Sequence, residues 1–142
     1  MITTRLVTIL LIILSFASCK PEFSPISYGH DACQQCKMTI MDKRYAAEVV
    51  TKKGKAFKFD DIACLKKYLK EENLPETGLM VFIADYNNAD GKFLDARQVV
   101  YLHSELFKSP MNGNVAAFAL AANVNSLKDS LHTEVLKWDN IN

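Results

Sequence analysis

The chain lacks an excess of either charge. Its 142 residues carry 17 Lys and Arg against 16 Asp and Glu, a formal net charge of +1. There is no basic stripe, so nucleic acid is not a natural partner. No apolar run approaches the roughly 20 residues of a membrane-spanning helix. There is no Ser-His-Asp arrangement, no glycine loop of the kind that cradles phosphate and no H-E-x-x-H motif. Asp60-Asp61 is a carboxylate pair, but adjacent residues do not converge on one substrate atom, and an N-cap is the better account. Nothing in the pattern points to an enzyme.

What is present begins with a leader. Arg5 supplies a positive charge, Leu6 to Leu14 is apolar apart from Thr8, and Ser15-Phe16-Ala17-Ser18-Cys19 closes the run with small residues before a cysteine. That order describes an export signal over residues 1–18. The cysteine resembles the acceptor of a lipobox, which implies cleavage before Cys19 and lipidation of its sulfur. The expected address is a membrane surface facing the periplasm, inner or outer. Residues 19–29 hold Pro21, Pro25 and Gly29 and read as a tether. The folded part is then 30–142, about one domain.

Of the four cysteines, removing Cys19 leaves Cys33, Cys36 and Cys64. An exported protein usually pairs its cysteines, so an odd number asks for a reason. Tyr45–Val50 and Ala56–Phe59 read as a hairpin about Lys52-Lys53-Gly54. Asp60 or Asp61 caps a helix carrying Ile62, Leu65 and Leu69. Leu79–Ala84 reads as a central strand, Asp95-Ala96-Arg97 as a helical turn, and Val99–His103 and Val115–Leu120 as strands. Val124, Leu127, Leu131 and Val135 predict a long amphipathic helix, extended by Trp138. Two halves, about 30–86 and 92–142, look alike, with Met38 matching Met111. The expected class is α+β, two similar ββαβ-type units with helices covering small antiparallel or mixed sheets.

The chemistry gathers at His30-Asp31-Ala32-Cys33-Gln34-Gln35-Cys36-Lys37-Met38. Thiolate and thioether donors favour copper(I), which needs only two or three of them. In an extended segment Cys36 and Met38 point to one face, and Met111 could complete a three-sulfur site. His30 or His103 could add an imidazole. Zinc on His30, Cys33, Cys36 and Cys64 is an alternative. So is a disulfide or thiol-disulfide pair at Cys33 and Cys36, although such a pair normally opens a helix. Cys64 reads more readily as a buried inert thiol.

Cys33-x-x-Cys36-x-Met38-x-Ile40, Arg44-Tyr45-Ala46-Ala47, Phe59-Asp60-Asp61-Ile62-Ala63-Cys64, Ala84-Asp85-Tyr86, Asp95-Ala96, Pro110-Met111 and Ala117-Phe118, in that order, resemble the NosL family across the mature chain. The resemblance implies a membrane-anchored copper(I) metallochaperone of paired ββαβ-type units, with no catalysis. Its implied partners are nitrous oxide reductase and an ABC-type maturation transporter. Cys36, Met38 and Met111 carry over as ligands, and Cys33 matches a position where many members also have cysteine.

Overall fold

The computed structural model describes residues 21–88, 90–120 and 124–141. The leader and Cys19 lie outside the described residues. The fold builds outward from a hairpin. Strands β1 (Ala47–Val50) and β2 (Ala56–Phe59) pair antiparallel, with Ala47 opposite Phe59 and Val50 opposite Ala56. Gly54 closes the turn at a φ of 78°, a left-handed backbone that glycine adopts without steric cost.

Helix α1 (Ile62–Glu71) follows, and Asp61 is its N-cap, accepting from the Ala63 N–H at 2.8 Å. Strand β3 (Met80–Ala84) returns to the other side of β1, and β4 (Phe93–Asp95) pairs with β3, giving the order β2-β1-β3-β4. The apolar run of β3 thus sits inside the sheet. Ala47, Val49, Phe59, Val81 and Ile83 are buried with Ile62, Leu65, Tyr68 and Leu69 of α1 in one core. The Tyr68 ring meets those of Phe57 and Phe59, each with centroids 5.3 Å apart.

The N-terminal segment covers the opposite face. Phe23 packs on Phe82 and Phe93, with centroids 5.4 and 4.5 Å apart. The Ser24 N–H donates to Glu48 at 2.7 Å, and Lys58 donates to the Pro25 carbonyl at 2.8 Å. From Phe23 onward the expected tether is therefore a strap. Its polar composition hid the two apolar side chains, Phe23 and Ile26, that gain by leaving water.

Strands β5 (Val99–His103), β6 (Val115–Ala119) and β7 (Val135–Leu136) form a second antiparallel sheet, ordered β6-β5-β7, with α2 (Asn125–Ser130) between β6 and β7. In both units the first strand is central, the second and third flank it, and the helix joins the flanking pair. The fold is α+β, with two ββαβ units. The topology does not equate the two methionines: Met38 precedes β1, whereas Met111 lies between β5 and β6.

Two local expectations fail. Asp95 ends β4, and its carboxylate accepts from the Arg97 N–H at 2.8 Å in a turn rather than a helical one. The C-terminal helix stops at Ser130 instead of running through Val135. His132 turns left-handed with a φ of 49°, and Val135 and Leu136 pair with Leu102 and Tyr101. Strand pairing along the free edge of β5 satisfies backbone groups that a longer helix would leave open, and it overrides the helical period. Leu127 and Leu131 still pack, against a second core of Tyr45, Leu102, Phe107, Ala116, Phe118 and Val124.

The units meet where the loop 109–114 lies on the start of α1. The buried Asp61 carboxylate accepts from the Ser109 hydroxyl at 2.6 Å and from the Met111 N–H at 2.9 Å, besides capping the helix. Asp61→Ala removes the cap and strands two further donors. It is expected to lower unfolding stability by about 3 kcal/mol, read as a shifted denaturant midpoint. A midpoint equal to wild type would show that this junction is not structural.

Candidate metal centre

Cys33 and Cys36 sit in a tight loop closed by a β-bridge between Ala32 and Thr39. The Cys33 N–H donates to the Met38 carbonyl at 2.7 Å, and the Lys37 N–H to the Cys33 carbonyl at 3.0 Å. Lys37 has a φ of 66°, so the chain bends back just after Cys36. The segment is not extended there, and strand alternation does not set the relation of Cys36 to Met38. No helix follows Cys36. The Gln34 N–H donates to the Lys58 carbonyl at 2.8 Å, docking the loop beside the end of β2.

That docking brings the loop to Asp60 and to the first turn of α1, which carries Cys64. The sulfurs of Cys33, Cys36 and Cys64 and a carboxylate oxygen of Asp60 all lie within 4.8 Å of one another. Cys33 is 0% exposed, Asp60 2% and Cys64 4%, whereas Cys36 is half-buried. The Cys36 thiol donates to the two oxygens of Asp60 at 3.6 and 3.5 Å. All three cysteines are free thiols.

The other expected ligands lie around this group. Met38 is 54% exposed and Met111 41%. Met111 is held near the cluster by its N–H bond to Asp61, the residue after Asp60. Gly113 makes that loop contact possible, since a Cβ there would come within 2.5 Å of the Ala63 Cβ. His30 and His103 are both exposed and are not among the four clustered residues. His103 ends β5 opposite Val115.

The sequence pattern assigns two members of the cluster elsewhere, Asp60 to the capping account and Cys64 more readily to an inert thiol. The available signal was arithmetic. One helix start needs one capping carboxylate, so the second of an adjacent pair must do something else.

The sulfurs are electrostatically unlike. Hydrogen bonding from the Cys64 thiol draws the Cys33 pKa down to about 6 against the opposing effect of burial, helped by the Cys36 N–H. Burial pushes Cys36 up to about 11, and the neighbouring Cys33 and Asp60 add to this. Cys64 is raised, first because it donates to Cys33 and then because it is buried. The depressed thiol is thus the enclosed one, and the accessible thiol is the raised one. A thiol-disulfide enzyme needs the reverse.

Comparisons with known proteins agree on one family. A family model described as NosL matches residues 26–142. Among solved structures, the crystal structure of the copper chaperone NosL from Shewanella denitrificans superposes with a TM-score of 0.69 at 18% identity, covering 85% of this chain and 96% of that one. At that identity the likeness establishes the fold. No curated protein matches the sequence.

Thiolate absorbance of the reduced, metal-free protein should show a first step with a midpoint near pH 6, from Cys33. In Cys64→Ala the donor that favours the charged form is gone, so this midpoint moves upward. A first step unchanged in Cys64→Ala would refute the assignment.

Proposed function

The chain belongs to the NosL family, and from that premise we propose that it is a copper(I) metallochaperone, without catalysis, that carries copper to an exported copper enzyme. The carrying observation is the half-buried Cys36 thiol, with exposed Met38 two residues on and exposed Met111 on the loop bonded to Asp61. Copper(I) accepts two or three soft sulfur donors. Cys36 supplies the thiolate, and Met38 and Met111 supply thioethers. Cys33, whose sulfur lies within 4.8 Å of that of Cys36, is the further sulfur. Low-coordinate ligation at the surface suits transfer, because an incoming ligand can bind before an old one leaves. The structural relative's role as a copper chaperone supports this reading.

Nitrous oxide reductase is the proposed client, with an ABC-type transporter as its maturation partner. Lipidation at Cys19 holds the protein at a membrane facing the periplasm. Since Phe23 already packs on the first sheet, the spacer between anchor and folded body is shorter than residues 20–29. The copper site then works close to its membrane partners rather than at the end of a long leash.

Copper(I) titration against a competing chelator tests the ligand set. The double variant Cys36→Ser, Met111→Leu is expected to bind at least about tenfold more weakly, with Met38→Leu between it and wild type. Wild-type affinity in the double variant would sink the assignment. Delivery is read separately, as activation of copper-free nitrous oxide reductase by the loaded protein.

A further inference from the structure

The strap across the first sheet and the loop that carries Cys33, Cys36 and Met38 meet at one side chain, that of Lys58. We propose that Lys58 is a positioning residue for this loop, through which the docked strap holds the copper(I) ligands in place. Its effect on copper rests on the copper(I) reading, whereas its hold on the loop rests on the fold alone.

Strand alternation places the side chain. Phe57 and Phe59 both pack on Tyr68 of α1, so Lys58 between them points to the opposite face, where the strap lies. Glu48 stands across from it on β1. The Lys58 side chain is only 20% exposed there, and a largely covered ammonium needs acceptors. Its Nζ donates to the Pro25 carbonyl at 2.8 Å and to Oδ2 of Asp31 at 2.7 Å. The first bond holds the strap on β2, and the second holds the foot of the loop.

Asp31 is that foot. Its carbonyl accepts from the Ile40 N–H at 2.9 Å, and the β-bridge between Ala32 and Thr39 follows directly. Its Oδ2 also accepts from the Ser27 N–H at 2.7 Å, and its own N–H donates to the Ser27 carbonyl at 2.8 Å. Strap and loop are thus joined through the same carboxylate oxygen that takes the lysine. The Lys58 backbone adds a further attachment, since its carbonyl accepts from the N–H of Gln34, between the two cysteines, at 2.8 Å. One residue of β2 therefore fixes the loop at its foot and at its turn.

Ligands on a short loop bind a metal best when neighbouring groups set their geometry beforehand, because no ordering cost then opposes binding. The far end of the strap contributes without touching the loop. Phe23 on Phe82 and Phe93, with the Ser24 N–H on Glu48, keeps Pro25 over Lys58. Undocking the strap removes the Pro25 acceptor and draws Ser27 away from Asp31. Cys36 and Met38 then gain freedom, and copper leaves faster. The strap is also the segment that leads back to Cys19, so the proposed anchor and the copper loop share one connection.

Amide hydrogen exchange of the metal-free full chain in detergent tests the hold on the loop. Lys58→Met should speed exchange at Gln34, Lys37 and Ile40 by at least about tenfold, with the amides of β5 and β6 at wild-type rates. Lys58→Arg keeps a charged donor for both oxygens and should restore protection. Phe23→Ala, at the remote end of the strap, should speed exchange at the same three amides. Copper(I) dissociation into a chelator should be about tenfold faster in Lys58→Met and restored in Lys58→Arg. Wild-type loop exchange in Lys58→Met or in Phe23→Ala would overturn the proposal. A uniform rise across both sheets would do so too, since it marks general destabilisation. If the wild-type chain binds no copper(I), the copper reading fails, while loop exchange still decides whether Lys58 positions the loop.

Discussion

The buried carboxylate of Asp61 holds the start of α1 and the loop of the second unit in one arrangement. One oxygen caps the helix through the Ala63 N–H, and the other accepts from Ser109 and from the backbone of Met111. Because three donors share one rigid acceptor, the helix cannot shift without moving the loop. Asp60 precedes the cap and Cys64 follows it within one turn, so both are positioned by the same constraint. The sulfur-rich loop reaches them from the opposite side through the Gln34 bond to Lys58. A short helix start, a tight loop and a cross-unit hydrogen bond thereby converge four donor atoms from three places in the sequence.

The strap follows a different logic. Glu48 lies in the middle of the first sheet, fully buried, with a raised pKa from desolvation. The Ser24 N–H answers one of its oxygens, while the other has no partner among the described residues. Covering the sheet costs that carboxylate its hydration, and the Ser24 N–H offsets part of the cost. Phe23, packed against Phe82 and Phe93, adds the apolar contact. The start of the folded body is thus fixed on the sheet rather than at Gly29.

Much of the fold could be read from periodicity. The first hairpin, the capped helix and the apolar β3 run each combine a local pattern with an unambiguous stop, so tertiary packing had nothing to override. The C-terminal segment shows the opposite case. Val124, Leu127, Leu131 and Val135 keep a perfect helical period, yet the helix ends at Ser130 and Val135 joins a sheet. Periodicity records which residues are apolar, not which backbone edge is waiting for a partner.

The candidate site divides along the same line. The sequence by itself determined the donor chemistry. An odd set of three cysteines, a C-x-x-C-x-M motif and a Pro-Met loop supply soft sulfur donors whatever the packing, because softness belongs to the sulfur atom. Only the tertiary structure decided which donors meet. It enclosed Cys33 and Cys64, left Met38 and Met111 at the surface, kept His30 and His103 outside the cluster, and turned Asp60 towards the sulfurs while Asp61 took the cap. The reason is distance: ligation depends on separations of a few ångströms between residues far apart in the chain, and only folding sets those.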